Sequence, residues 1–244
     1  MADRAPDAAP RGNRVPASEV RSMFDRIAPI YDAMNTVMTA GLDARWRRAA
    51  AAAAGLGPGM RVLDVACGSG ALAREVARAV GPTGEVVGID LSERMLERAR
   101  HRPPDAAAAP IRYEVGDALA LPEPDATYDA TTIAFGLRNV ADYAGCVREM
   151  RRVVRPGGRV VVLELATPRG GIGRLITRTW FERVVPIVGR LAGGGSAYGY
   201  LPSSVRGYPP PEEVAALLRD AGLVDVTWRR LRPGLVTLHV GRRP

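Results

Sequence analysis

The segment Val62-Leu63-Asp64-Val65-Ala66-Cys67-Gly68-Ser69-Gly70 restricts the possible folds of this chain more than any other. It reads as an apolar strand running into a glycine turn, and Ala71–Val80 follows with helical periodicity. Gly68 and Gly70 admit positive φ and let the backbone approach a ligand closely. The helix behind them directs unsatisfied N–H groups at the same point. A turn of this kind belongs at the carboxyl end of a strand in a parallel sheet, where α/β folds bind nucleosides.

The downstream sequence keeps the same rhythm. Strands are predicted over Glu85–Ile89, Ile111–Val115, Tyr128–Ala134 and Arg159–Leu165. Helices are predicted over Glu93–Arg100 and Asp142–Val154, the latter stopped by Pro156-Gly157-Gly158. Strands apolar on both faces and separated by helices imply a sheet covered on both sides. Pro211–Ala221 is a further helix, and Asp225–Leu231 with Leu235–Gly241 forms a closing antiparallel pair. The fold class expected is α/β: a doubly wound, mostly parallel seven-stranded sheet, Rossmann-like, with a helical lid at the N-terminus and a helical insertion before the last helix–strand pair.

Residues 1–16 are read as a disordered tail and 17–244 as one domain, with the lid over 17–57 and the insertion over 167–208. The lid contains a helix from Val20 to Ile27, with Ser18 and Glu19 as its capping signal, and a second helix over Asp43–Ala54.

Composition adds exclusions. Hydrophobic residues make up 47% of the 244 and charged residues 25%, which argues against disorder over most of the length. No apolar run is long enough to span a bilayer, and the first residues carry no secretory signal pattern. Cys67 and Cys146 supply neither a disulfide framework nor a four-ligand zinc site. His101 and His239 are far apart in sequence with no ligand spacing, so no metal is expected.

The net charge of +8 is a weak pointer to nucleic acid, because none of the 34 basic residues is lysine. A coding bias towards arginine, with alanine as filler in the run Ala49–Ala54, accounts for the charge, and no nucleic-acid partner is expected. Anionic lipid headgroups are an equally plausible partner for any basic patch.

Two cofactor classes fit the glycine turn. Gly68-x-Gly70-x-x-Ala73 satisfies a dinucleotide fingerprint. Against it, Asp64 stands just before the turn, where a carboxylate repels a pyrophosphate and suits a cation. Asp90, twenty residues past Gly70, ends the second strand and is placed to accept from ribose hydroxyls. Asp117, after the third strand, is placed to take an adenine amino group, with the Ala118 N–H donating to the ring. Three acids at successive strand ends favour S-adenosylmethionine, which carries a sulfonium and an ammonium and no phosphate. Each acid alone reads as a turn or helix cap.

Further segments resemble one family. Tyr31-Asp32-Ala33-Met34-Asn35 with Trp46, and Ala134-Phe135-Gly136-Leu137-Arg138-Asn139-Val140, are similar to signatures of the ubiquinone/menaquinone C-methyltransferases. Arg152 to Gly158 through Glu164, Tyr200 to Arg206, and Gly234 to His239 resemble its later parts. Asp43 and Thr39 depart from the usual His and Ser, and Arg155 from the usual Lys.

The resemblance implies methylation of a ring carbon of a prenylated quinol, demethylmenaquinol first and a 2-polyprenyl benzoquinol or another aromatic or lipid acceptor as the alternative, with S-adenosylhomocysteine as product. It implies Asp64, Gly68, Ser69, Gly70, Asp90, Leu91, Asp117, Ala118 and Ala134 as the cofactor set, and Arg138 and Asn139 as catalytic. Arg138 would stabilise a phenolate or orient a water. Tyr31 and Tyr200 are candidates for the second hydroxyl. His239 is a candidate base, though a packed residue is favoured on a late strand, and Cys67 reads as a small filler. The stripe Ile172–Val188, apolar with basic flanks, fits an interfacial helix or a lid. A cytoplasmic protein meeting the inner face of the plasma membrane follows from such a substrate; a homo-oligomer is left open.

Overall fold

The computed structural model describes residues 12–13, 15–103, 105–166 and 204–244. Most of the insertion expected at 167–208, including Tyr200 and the stripe Ile172–Val188, lies outside the described residues. The elements are α1 (Ala17–Ile27), α2 (Tyr31–Thr39), α3 (Leu42–Ala53), β1 (Arg61–Val65), α4 (Ala71–Val80), β2 (Glu85–Asp90), α5 (Glu93–Arg100), β3 (Ile111–Val115), β4 (Tyr128–Ala134), a 3-10 turn (Leu137–Asn139), α6 (Tyr143–Val153), β5 (Val154–Leu165), α7 (Pro211–Asp220), β6 (Val224–Leu231) and β7 (Val236–Arg242).

Seven strands form one sheet in the order β3-β2-β1-β4-β5-β7-β6. All neighbours are parallel except β7, which runs antiparallel to both β5 and β6. The order reverses between β1 and β4, so the crevice outside their carboxyl ends is where such a sheet binds ligands. The apolar runs of β1 and β5 explain their central places: Val62, Leu63 and Val65, and Val160 to Leu163, are fully buried. On α4, Leu72, Ala73, Val76, Ala77 and Val80 recur at helical spacing and form the buried face.

The structure corrects several sequence expectations. The alanine run is not filler: Ala50, Ala51 and Ala54 are buried in one cluster with Leu72, Ala73, Val76 and Ala77, where small side chains let α3 lie close on α4. Helix α2 was not anticipated, because Thr36, Val37 and Thr39 are poor helix formers and Pro29 masks its start. Helix α1 begins at Ala17 after Pro16, without a side-chain cap from Ser18. The Arg155–Gly158 stop is absorbed into β5 as an irregularity opposite β4, and the Gly157 N–H donates to the Arg243 carbonyl. Asn13 already belongs to the fold, since its N–H donates to the Val140 carbonyl and its side-chain amide to the Asn139 carbonyl.

Candidate active site

One cavity gathers the carboxyl ends of β1, β2 and β4 and the turn after β3, and α1–α3 form its opposite wall. Of the expected cofactor set, Gly68, Ser69, Asp90, Leu91, Asp117, Ala118 and Ala134 line it, together with Cys67. Asn139 lines it as well. Asp64, Gly70 and Arg138 stand behind this lining.

Asp90 ties two loops together. One carboxylate oxygen accepts from the Gly68 N–H at 2.8 Å and the other from the Ser92 N–H at 2.9 Å. Each oxygen has a second lone-pair site, so the group can still accept from a pair of hydroxyls. Burial pushes its carboxyl above the ordinary range, and the backbone donors of Ser92, Gly68 and Leu91 pull against that. Asp117 accepts from the Leu119 N–H through Oδ1 at 2.9 Å, fixing the turn after β3 at the cavity wall. Cys67 is buried at the cavity wall. Burial, reinforced by Asp90 and Asp64, holds its thiol well above the ordinary value, so it stays protonated and inert.

Asp64 pairs in register with Thr132 across β1 and β4, and the Thr132 hydroxyl donates to its Oδ1 at 2.7 Å. Oδ2 is buried with no hydrogen-bond partner among the described residues. Burial raises this carboxyl to about 7, against the pull of Thr132 and the charge of Arg47. Gly70 acts through its backbone. Its φ is +72°, it caps α4 from the left-handed region, and a side chain there would strike the Tyr113 hydroxyl. The loops leaving β1 and β4 touch, so that a Cβ on Gly136 would lie 2.7 Å from that of Ala66. Ala66 and Phe135 both hold positive φ at this junction (50° and 58°), an uncommon conformation that clusters at functional sites.

Arg138 is buried. Its guanidinium meets Glu164 at 2.7 Å and donates to the Phe135 carbonyl at 2.5 Å, while its own N–H donates to Glu164. The Asn139 side-chain amide donates to the same Phe135 carbonyl at 3.3 Å. His239 is fully buried and does not line the cavity. Its Nε2 lies 2.9 Å from the Pro211 carbonyl, which can only accept, so Nε2 carries the hydrogen. Burial lowers its pKa to about 4, so the ring is neutral at pH 7.

The helical wall supplies contacts that the sequence did not announce. The Ser69 hydroxyl donates to Asp32 of α2 at 2.5 Å, and the Ser92 hydroxyl donates to Asp25 of α1 at 2.6 Å. Asp32 also pairs with Arg102 and, at 3.6 Å, with Arg98. Burial works to raise its carboxyl, but Ser69 and the two arginines outweigh it and hold the group below its ordinary range. Val20, Arg21, Phe24 and Tyr31 line this side, with Phe24 and Tyr31 edge to face. Arg47 of α3 reaches the cavity with its guanidinium 5.1 Å from the centre of the Phe135 ring.

The described residues contain no group of three or more His, Cys, Asp or Glu that could hold a metal. The residues present fit S-adenosylmethionine: acids at the ends of β1 and β2, an acid and a backbone turn after β3, and a buried carboxylate oxygen without a donor among the described residues.

A doubly wound sheet with acids at its switch point defines the nucleoside-binding α/β class, and solved structures agree at the level of fold. A SAM-dependent methyltransferase from Thermotoga maritima, titled a possible histamine N-methyltransferase, superposes with a TM-score of 0.62 at 18% identity, over 92% of this chain and 99% of its own. The [4+2]-cyclase SpnF superposes with a TM-score of 0.69 at 19% identity, over 96% and 98%. These likenesses establish the fold alone.

The sequence goes further. Residues 13–243 match the ubiE/COQ5 methyltransferase family. A demethylmenaquinone methyltransferase of Deinococcus radiodurans is 45% identical over 91% of this chain and 91% of its own length. The ubiquinone/menaquinone biosynthesis C-methyltransferase UbiE of Geobacter sulfurreducens is 42% identical over 92% and 88%. The chain belongs to the ubiE/COQ5 methyltransferase family and is an S-adenosylmethionine-dependent methyltransferase.

Proposed function

We propose that the chain methylates a ring carbon of a prenylated quinol, with demethylmenaquinol as substrate. The observation that carries this reading is a convergence: Tyr31, Phe135, Gly136 and Asn139, which belong to the family-specific signatures, line the same cavity as Asp90 and Asp117. Relatives at 45% identity from Deinococcus radiodurans and Thermus thermophilus are named for demethylmenaquinone. A 2-polyprenyl benzoquinol is the second reading, because the Geobacter relative is named for both quinones.

S-Adenosylmethionine, when bound, supplies a methyl group already activated on a sulfonium. The chain's own work is then to hold, align and exclude water. Asp90 is assigned the ribose hydroxyls, and Asp117 with Ala118 the adenine. Gly68, Ser69, Leu91 and Ala134 are assigned the wall around the nucleoside, and Gly70 and Asp64 the shape and charge of the turn. Helices α1–α3, as part of a lid over 17–57, close the cavity through Asp25 and Asp32. The apolar side chains of Val20, Phe24, Tyr31, Leu119 and Val140 offer a dry surface for an aromatic ring.

Asn139 is assigned contact with the acceptor at the cavity wall. Arg138 is assigned a positioning role: through Glu164 and the Phe135 carbonyl it fixes the loop that carries Asn139. Residues 167–208 are assigned to the prenyl chain. A substrate dissolved in lipid places the protein at the cytoplasmic face of the plasma membrane. No described helix is long and apolar enough to cross a membrane.

The test is incubation of the purified chain with S-adenosylmethionine and reduced membrane quinols, followed by mass analysis. A quinol one methyl heavier is the expected product. Methylation of a soluble phenol or amine while quinols stay unchanged would overturn the reading.

A further inference from the structure

Arg47 is out of place on its helix. In α3 the buried stripe runs through Arg47, Ala50, Ala51 and Ala54, at the spacing i, i+3, i+4, i+7. Its neighbours Arg45 and Arg48 are exposed, as helical arginines usually are, whereas Arg47 is 7% exposed. A guanidinium stays charged at any working pH, so burying one is costly unless it is paired.

The pairing present is thin. Asp43, one turn earlier on the same helix, lies 3.7 Å from Nε, beyond hydrogen-bond range. The carboxylate of Asp43 is itself engaged by the Thr39 hydroxyl at 3.1 Å. The ring of Phe135 covers one face of the guanidinium, and Nε has no hydrogen-bond partner among the described residues. The side chain nonetheless lines the cavity, as do Phe135, Ala66, Cys67 and Gly68. Its charge is felt by Asp64, the buried acid behind that turn.

Among the described residues, a buried cation in the cavity wall and a buried acid behind the glycine turn are therefore both short of hydrogen bonds. Asp90, which accepts from the Gly68 N–H, and Asp117 line the same cavity and are assigned the nucleoside. The complement of such a pair is a zwitterion. Resting on the cofactor reading above, we propose that Arg47 anchors the carboxylate of the cofactor's amino-acid end. The lid helix α3, and not the sheet, then supplies the group that recognises the methionine moiety. Asp64 provides the opposing field that favours the ammonium.

The test uses calorimetric titration of the full chain with two ligands that differ only in the carboxylate: S-adenosylmethionine and its decarboxylated form. Wild type is expected to prefer the first by roughly 10- to 100-fold, the range of one charge-assisted hydrogen-bonding contact. In Arg47→Gln the preference is expected to vanish, with affinity for the decarboxylated ligand within about twofold of wild type. Arg47→Lys, which keeps the charge without the planar fork, is expected to retain part of the preference.

A purely structural arginine would weaken both ligands equally. That result, or an undiminished preference in either variant, overturns the proposal. Equal affinity of wild type for both ligands overturns it too, and leaves the cofactor reading standing. The cofactor reading itself fails if wild type binds neither ligand nor 5′-methylthioadenosine, which lacks the whole amino acid. If Arg47→Gln melts far below wild type, the ratio measured in Arg47→Lys decides.

Discussion

The two walls of the cavity are built by different means. The sheet wall takes its residues from strand ends: Asp90 closes β2, Asp117 follows β3 and Ala134 closes β4. Backbone register fixes their positions, so each acid reaches the cavity wherever its strand stops. The helical wall is assembled by side chains reaching across long sequence separations, Asp32 to Ser69 and Asp25 to Ser92. A wall fixed by register is rigid and readable from a pattern. A wall fixed by a few polar contacts can open, and its residues follow no local rule.

The comparison can be broken experimentally, beginning with the element on which the sheet side depends most. Arg138→Ala leaves Glu164, which is fully buried, without its cation. A loss of about 3–5 kcal/mol in unfolding free energy is expected, together with lower turnover in the variant that still folds. Denaturant unfolding that matches wild type would show that the loop is held some other way.

Asp90→Ala removes the acceptor that joins the Gly68 and Ser92 loops. On the order of a 100-fold loss of S-adenosylhomocysteine affinity is expected, the scale of removing a buried charged acceptor. A calorimetric loss smaller than tenfold would move the ribose elsewhere.

Asp64 gives a signature in pH. Its folded carboxyl titrates near 7 against an ordinary value of 3.8, so the folded chain binds the extra proton between these limits. Stability from this group is complete below about pH 4 and is lost as pH rises through 7. Asp64→Asn is therefore expected to melt above wild type at pH 7.5, by on the order of 1–3 kcal/mol, with the gain shrinking towards pH 4. A gain that does not change with pH would assign the effect to packing.

The smallest effect is expected on the helical wall. Asp32→Asn weakens one hydrogen bond and two partly exposed ion pairs, for about 1 kcal/mol in all. Stopped-flow displacement should show ligand release several-fold faster, with the sheet contacts unchanged. If release slowed, or if Asp32→Asn cost as much affinity as Asp90→Ala, the division between the walls would fail.

This division also decides what was legible beforehand. The glycine turn, the acids and the order of strands and helices follow from hydrophobic periodicity and turn chemistry, and the sheet they imply is the one observed. The partners of Arg138 were hidden because Glu164 sits inside the apolar run of β5, where only tertiary structure brings it beneath the loop. The role of α2 was hidden by its β-branched residues. Arg47 was hidden among the arginines of Arg45–Arg48, although its membership of the buried stripe of α3 was a usable signal. His239 has the residue type of a base, and the carbonyl of Pro211 in α7 makes it a packing element.

The link between Asp32, Ser69 and the arginines at the end of α5 bears on how the protein behaves in different media. The arginines and Asp32 are partly open to water, so dissolved ions compete for them. Spent donor should then depart faster in brine than in dilute buffer. The same substitution that frees α2 should also abolish that sensitivity to ionic strength.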